Sequence, residues 1–220
     1  QQWEAISRGL SRLDNRLPYI ACQGNHDLGY IAAEYRYSMM PNYIYPERNS
    51  AFAKTLVSTG TNYEGIHTME NSAYEFHDEA WGDLLIISFE FAPRDEALDW
   101  ARQLIESERF VNHKVIILTH SFLATNGDRI VEEGYKLTPR NWAQAVWEKL
   151  IYPSKNIKMV LCGHTGNPPK IRKGEDVDFH MTTSYRVDKA ADGHEVIQMM
   201  FNSQNGDGSW NGNGGDCWLR

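Results

Sequence analysis

Three apolar stretches of this chain are each followed at once by a histidine. The histidines are His26, His120 and His164, and the first of them stands between Asn25 and Asp27. Imidazole nitrogen is the commonest metal ligand among side chains. Amide and carboxylate oxygens suit harder ions such as Mn, Mg or Fe. These residue types predict a metal centre that activates water and polarises an ester oxygen.

The elements that must position these side chains are predicted strands. Apolar runs at 19–22, 115–118 and 157–162 have the length of buried strands. A helical pattern at 97–105 precedes the second run, and another at 142–151 precedes the third. This order predicts a parallel sheet with crossover helices. The C-terminal ends of parallel strands share one edge, where ligands bind. The polar residues after the three strands should therefore converge despite their distance in sequence.

Other segments complete the predicted organisation. Residues 2–14 carry apolar positions at helical spacing, and the run 84–89 predicts a buried strand. Two later strands, at 179–187 and 194–201, are predicted to be antiparallel. The Gly- and Asn-rich tail predicts a loop. Since no repeat or linker divides the chain, residues 1–220 are predicted to form one domain.

Composition narrows the class of protein. The chain has 220 residues, is 41% hydrophobic and 23% charged, and has a formal net charge of −7. The negative charge argues against a nucleic-acid polymer as partner. A small phosphate ester stays open, because metal ions reverse the sign of a site locally. No apolar run approaches the roughly 18–20 residues of a membrane span.

The start of the chain and its cysteines also carry information. The chain opens without Met and without a signal peptide, so we expect it to begin inside a longer protein. Its cysteines are Cys22, Cys162 and Cys217. Three cysteines do not make a disulfide framework. The chain contains no CxxC motif, so a cysteine metal cluster is not expected. Cys22 and Cys162 end apolar runs and are predicted to be small buried residues.

The polar motifs, taken together, resemble a known family. "GNHD" at 24–27, "THS" at 119–121 and "GH" at 163–164 resemble the calcineurin-like metallophosphoesterases in order and spacing. The segments 71–105 and 156–164 resemble a bacterial, often exported branch of that family. The resemblance implies an α/β fold with a β-sandwich flanked by helices, an α/β/β/α arrangement. It also implies hydrolysis of phosphate monoesters or diesters, and export to the periplasm or the cell exterior.

The resemblance assigns a role to each polar residue. The family has a binuclear centre of divalent ions such as Mn, Fe or Zn. Asn25, His120 and His164 would hold the second metal. His26 would lie over the phosphate, where it stabilises charge or protonates the leaving alkoxide, and Asp27 would hold His26 in one tautomer. A metal-activated hydroxide would attack phosphorus in line.

Departures from the family pattern concern the first metal. The family begins with Asp-x-His and Gly-Asp-x-x-Asp strands that supply most ligands of that metal, and neither motif occurs before Gly24. Asp178–His180 has the Asp-x-His spacing, but no buried strand leads into it. The family's Gly-His-x-His is Gly163–Gly166 here, without the second histidine. We therefore expect a fragment, clipped at the N-terminus and also at the C-terminus, that lacks the first strands and an intact first metal site.

Two readings of function remain at this stage. The chain is either a metal-dependent phosphoester hydrolase, or a degenerate, non-catalytic member of the fold that binds a ligand. Glu90 is either a neighbour of the site or a solvated strand end, and Asn126 and Arg129 are candidates for substrate contacts. Four further histidines lie in polar segments and are predicted at the surface: His67, His77, His113 and His194.

Overall fold

The computed structural model describes residues 2–165 and 183–202. The helices are α1 (Gln2–Leu10), α2 (Phe52–Thr55), α3 (Asp95–Ile105) and α4 (Ala143–Val146), and α4 continues as a π-helix over Trp147–Ile151. Short 3₁₀ turns occupy Asn25–Asp27, Met40–Asn42 and Pro46–Arg48. The strands are β1 (Leu56–Thr61), β2 (His67–Asp78), β3 (Gly82–Ser88), β4 (Lys114–Leu118), β5 (Ile157–Cys162), β6 (Thr183–Lys189) and β7 (Glu195–Phe201).

The described strands form a single sheet in the order β1-β2-β3-β4-β5-β7-β6. The central pairs β3/β4, β4/β5 and β5/β7 are parallel, and the outer pairs are antiparallel. The predicted α/β class, with a sheet flanked by helices, is confirmed. The predicted parallel arrangement of β3, β4 and β5 is confirmed as well. The described residues form one sheet of the expected sandwich. The parallel run places the C-terminal ends of β4 and β5 side by side.

One face of the sheet is covered by α3 and α4. Helix α3 buries an apolar stripe that includes Leu98, Ala101 and Ile105, and these side chains pack in one cluster with Ile87 of β3 and Ile117 of β4. Each fully buried leucine or isoleucine side chain contributes about 1.5–3 kcal/mol. This packing holds β4, whose end carries His120, in a rigid frame.

The opposite face is covered by the N-terminal part of the chain. Phe52 and Tyr74 lie at the centre of a second apolar cluster, with ring centroids 6.1 Å apart. Trp3 and Leu10 of α1 pack against this cluster. Helix α1 ends at Leu10, short of the predicted end at residue 14, and hydrogen-bonded turns follow.

The predicted strand at Tyr19–Cys22 is not formed. Both edges of β3 are already paired, with β2 and with β4, so this segment finds no ladder among the described residues. It lies instead across the face of the sheet, where Tyr19 and Ile20 pack in the second cluster. The Ser88 hydroxyl donates a hydrogen bond to the Ala21 carbonyl at 3.0 Å. The segment still delivers Asn25 to the end of β4.

The C-terminal prediction is confirmed where the structure describes it. β6 and β7 pair antiparallel, with Val187 opposite Ile197. Asp178–His180, Cys217 and the predicted tail loop lie outside the described residues. Within the described parts of the chain, no helix has the length and apolar character that a bilayer crossing requires.

Candidate functional site

The ends of β4 and β5 and the turn at Asn25–Asp27 meet at one edge of the sheet. His120 Nε2 lies 3.0 Å from Asn25 Oδ1, and the rings of His120 and His164 have centroids 4.8 Å apart. The Gly163 N–H donates to the His120 carbonyl at 3.0 Å, so the two strand ends are joined through their backbones. The structure therefore brings together the three residues predicted to hold the second metal.

Backbone geometry makes this close approach possible. A Cβ added at Gly24 would lie 3.0 Å from His120 Cε1, and one at Gly163 would lie 3.1 Å from the Phe201 carbonyl oxygen. His164 adopts a φ of 65°, in the left-handed region that is unfavourable for a residue with a side chain. Two glycines and one strained residue thus place the imidazoles against each other.

The electrostatics of the site favour a neutral His120. Burial lowers the pKa of His120 to about 4, and the nearby His164 and His26 reinforce this effect because a further positive charge beside them is unfavourable. The ring is therefore uncharged at neutral pH, as a metal-binding imidazole must be.

Asp27 contacts a different group from the one predicted, and the His26 ring is oriented by the backbone. The Asp27 carboxylate accepts a hydrogen bond from the Gly24 N–H at 2.8 Å, so it stabilises the 3₁₀ turn and does not hold the His26 ring. His26 Nδ1 lies 2.8 Å from the Ile31 carbonyl oxygen. Since a carbonyl only accepts, Nδ1 carries a proton and the ring is oriented by Ile31. The His26 side chain is exposed at the rim of the site.

Two residues that the sequence analysis did not identify contact the site. Glu133 Oε1 lies 3.0 Å from His164 Nε2, and the Asn25 amide donates to the Tyr135 hydroxyl at 2.9 Å. Both come from the polar loop between β4 and α4. Loop residues follow no hydrophobic period, so the sequence pattern gives little signal for Glu133 and Tyr135. The one signal is that they are two residues apart, because side chains two residues apart in an extended segment point the same way.

An apolar floor lies beneath these polar groups. The Phe91 ring packs edge-on against His120, Tyr135 and His164, with centroids 5.8, 5.3 and 6.0 Å away. Phe91 itself is fully buried beside Trp142. Such a floor excludes water from one side of the site and strengthens electrostatic interactions there.

Other predicted candidates have structural roles. Glu90 is buried and pairs with Arg94 at 2.9 Å, so it is not a solvated strand end. Asn126 closes a local turn with Asp128. The Arg129 guanidinium stacks on the Trp147 ring, 3.6 Å from its centroid. These side chains stabilise the frame around the site.

Two predictions about burial need correction or refinement. His113 was predicted at the surface but is buried, with Nε2 2.9 Å from a Glu75 carboxylate oxygen. Its ring packs against Phe110 at 5.1 Å, which covers it. Cys22 and Cys162 are partly buried free thiols, and burial raises the pKa of each to about 12.

The donor set fits a divalent metal in chemical type. Two imidazoles and an amide oxygen suit ions such as Zn, Fe or Mn. Residues 2–165 and 183–202 contain no group of three or more His, Cys, Asp or Glu side chains arranged to hold a metal ion. Asn25 is the third donor beside His120 and His164, so the described residues offer a partial shell for one ion.

Two known proteins are each similar to this chain over part of their own length. The Bacillus subtilis (strain 168) protein named "Uncharacterized protein YvnB" is 24% identical over 179 residues, which are 81% of this chain and 12% of YvnB. The chain thus matches a small part of that relative. A solved Staphylococcus aureus structure, provisionally described as a 5'-nucleotidase in complex with alpha-ketoglutarate, aligns with a TM-score of 0.44 and 16% identity, over 89% of this chain and 40% of that one.

The sequence profile described as calcineurin-like phosphoesterase matches residues 2–168. That range contains the turn with Asn25 and the ends of β4 and β5, which together form the site. The chain belongs to the calcineurin-like phosphoesterase family.

Proposed function

We propose that this chain carries the second-metal half of the active site of a metal-dependent phosphoester hydrolase. The convergence of Asn25, His120 and His164 carries the proposal, with distances of 3.0 Å between Asn25 and His120 and 4.8 Å between the two imidazole centroids. Family membership supports the same chemistry. The ion is divalent, with Mn, Fe and Zn as candidates.

The proposed ligands would each supply one donor atom. When bound, the ion polarises a phosphoryl oxygen and lowers the pKa of water. The chain's own contribution is to keep His120 neutral through burial, and to exclude water from below the site through Phe91. The Asn25 amide is fixed between His120 and Tyr135, and its oxygen accepts a hydrogen bond from His120 Nε2–H that an ion shared by the two groups would replace.

His26 is the proposed proton donor to the leaving group. Its Nδ1–H is held by the Ile31 carbonyl, so Nε2 is the nitrogen that can carry and release a proton. The side chain is exposed and stands next to the proposed ligand Asn25, where a substrate could reach it. A general acid in such a position contributes typically 10²–10⁴-fold in rate.

The proposed substrate is a small phosphate ester. The net charge of −7 disfavours a nucleic-acid polymer. Neither the monoester nor the diester class is favoured by the described residues, so both are included in the test.

Hydrolysis of bis(p-nitrophenyl) phosphate and p-nitrophenyl phosphate with added Mn²⁺ tests the proposal. Because the chain supplies half of the site, we expect slow turnover that depends on the added metal, that EDTA abolishes and that His26→Gln lowers about 10²–10⁴-fold. His67→Gln serves as the control, because His67 is an exposed histidine on β2. A chain that binds no divalent ion, or one whose metal-dependent turnover is unchanged in His26→Gln, would overturn the proposal.

A further inference from the structure

We propose that Glu133 is a positioning residue that sets the tautomer of His164 and thereby selects the nitrogen available to the metal. The inference rests on the proposed metal site. The contact between Glu133 and His164 is independent of any metal, because Glu133 Oε1 lies 3.0 Å from His164 Nε2 in the protein itself. Both side chains are largely buried, with 12% of the Glu133 side chain and 16% of the His164 side chain exposed.

The hydrogen-bond inventory of the pair determines where the proton lies. The carboxylate oxygen Oε1 of Glu133 lies 3.0 Å from His164 Nε2, so Nε2 is the ring nitrogen that donates to the carboxylate. The other ring nitrogen, Nδ1, is the one left for an ion, because a nitrogen that binds a metal carries no proton. The Glu133 contact therefore makes Nδ1 of His164 the metal-binding nitrogen.

A second contact keeps the Glu133 carboxylate in place. The Ser121 hydroxyl donates to Glu133 Oε2 at 3.0 Å, so each carboxylate oxygen has its own donor. Ser121 follows His120 directly in sequence. The strand end that supplies one proposed ligand thus also fixes the carboxylate that orients the other.

The chemical consequence is a more basic and better oriented ligand. A carboxylate that accepts a proton from the far nitrogen of a metal-binding histidine fixes the ring and raises its basicity, and losing it typically costs 10–100-fold in metal affinity. Such a carboxylate need not contact the ion. This distinguishes Glu133 from Asn25, His120 and His164, the proposed ligands.

The test measures the tautomer and the metal affinity separately. In metal-free protein labelled with ¹⁵N-histidine, the wild type should show His164 as the Nε2–H tautomer, with the signal assigned from His164→Asn. In Glu133→Gln the charge is lost, and we expect a mixture of tautomers. Mn²⁺ and Zn²⁺ titrations should show a 10–100-fold weaker affinity for Glu133→Gln.

A matched control and a milder variant support the test. Glu132→Gln changes the neighbouring glutamate, whose side chain is 77% exposed, and should leave tautomer and affinity unchanged. Ser121→Ala keeps the Glu133 charge but loosens the carboxylate, so it should shift both readouts in the same direction by a smaller amount. This variant decides the question if Glu133→Gln does not fold.

The outcomes separate this proposal from the proposed function. If the wild type binds no metal, the proposed function fails while the tautomer measurement still judges Glu133. Wild-type affinity in Glu133→Gln, or an unchanged His164 tautomer, overturns the positioning role. Loss of all metal binding in Glu133→Gln, as in His164→Ala, overturns it too, because Glu133 would then be a direct ligand.

Discussion

The imidazole of His120 lies against the backbone of Gly24, so closely that a Cβ at residue 24 would fall 3.0 Å from its Cε1 atom. The contact joins residues 96 positions apart in sequence. It also brings Asn25, the next residue, within 3.0 Å of the same ring. The lack of a side chain at Gly24 thus allows the His120 ring to approach this closely, since a Cβ there would force the ring to move.

Gly24→Ala should therefore disturb the site more than the fold. The added methyl group displaces the His120 ring, which breaks its contact with Asn25, and we expect a loss of about 1–3 kcal/mol in unfolding free energy. Metal affinity should fall at least tenfold. Urea unfolding and Mn²⁺ titration measure the two effects. Gly9→Ala is the control, since nothing lies within 4 Å of its added Cβ. A Gly24→Ala protein with wild-type stability and affinity would contradict the packing argument.

Tyr135→Phe should weaken metal binding with little effect on stability. The Tyr135 hydroxyl accepts from the Asn25 amide at 2.9 Å, which turns the amide oxygen toward His120. Losing one such hydrogen bond costs about 1 kcal/mol of stability, while a misoriented ligand should lower affinity about tenfold or more. Calorimetric metal titration checks this, with the half-exposed Tyr152→Phe as control. Equal metal affinities for the two variants would show that Tyr135 does not orient Asn25.

Asp188 should contribute to stability in a pH-dependent way. Burial raises its pKa, but hydrogen bonds from Arg186 and Gln198 and the charge of Arg129 outweigh burial, and the net pKa is lowered. A carboxyl whose folded pKa is depressed stabilises the fold above its unfolded pKa of about 3.9 and loses that contribution as pH falls through the folded value. The wild type should therefore exceed Asp188→Asn in stability at pH 7.

The stability difference between these two proteins should narrow as the pH is lowered below about 4, because both then carry an uncharged side chain at residue 188. Urea unfolding at a series of pH values measures this. Asp99→Asn changes an exposed aspartate on α3 and is the matched control. A stability difference that stays constant from pH 7 to the acid limit would show that the Asp188 charge is not involved.

The thiols of Cys22 and Cys162 should be unreactive in the folded protein. Burial raises the pKa of each to about 12, and the thiolate is the reactive form. In a Cys217→Ser variant at pH 8, a disulfide reagent such as DTNB should label neither thiol on the time scale of a free cysteine, and both in guanidinium. Rapid labelling of the native variant would place a thiol in a more exposed setting than described.

Much of the frame was predictable because its signals are periodic. The apolar runs of β3, β4 and β5 and the apolar stripe of α3 have the expected lengths. His120 follows β4, and His164 follows β5. The Tyr19–Cys22 run looked the same but depends on a ladder partner that no local pattern reveals. Its apolar side chains are buried against a sheet face, not within a sheet.

The contacts of the site were less predictable than its members. His120 and His164 could be predicted from the ends of β4 and β5, and Asn25 from the GNHD motif after an apolar run, whereas Glu133 and Tyr135 belong to a loop whose path is set by tertiary packing. Asp27 was expected to hold His26, but a carboxylate three residues after an N–H has a nearer donor at Gly24. Adjacent residues in a 3₁₀ turn point in different directions, which the sequence pattern did not reveal.

Elemental analysis of the purified chain after loading with Mn, Fe or Zn measures whether Asn25, His120 and His164 hold a metal ion. We expect a single divalent ion per chain, lost in His164→Ala and in His120→Ala. The ion should be retained in His77→Ala, whose histidine is exposed and pairs with Asp83. A wild-type chain without bound metal, or one whose metal survives both substitutions, would show that these three side chains do not hold the ion.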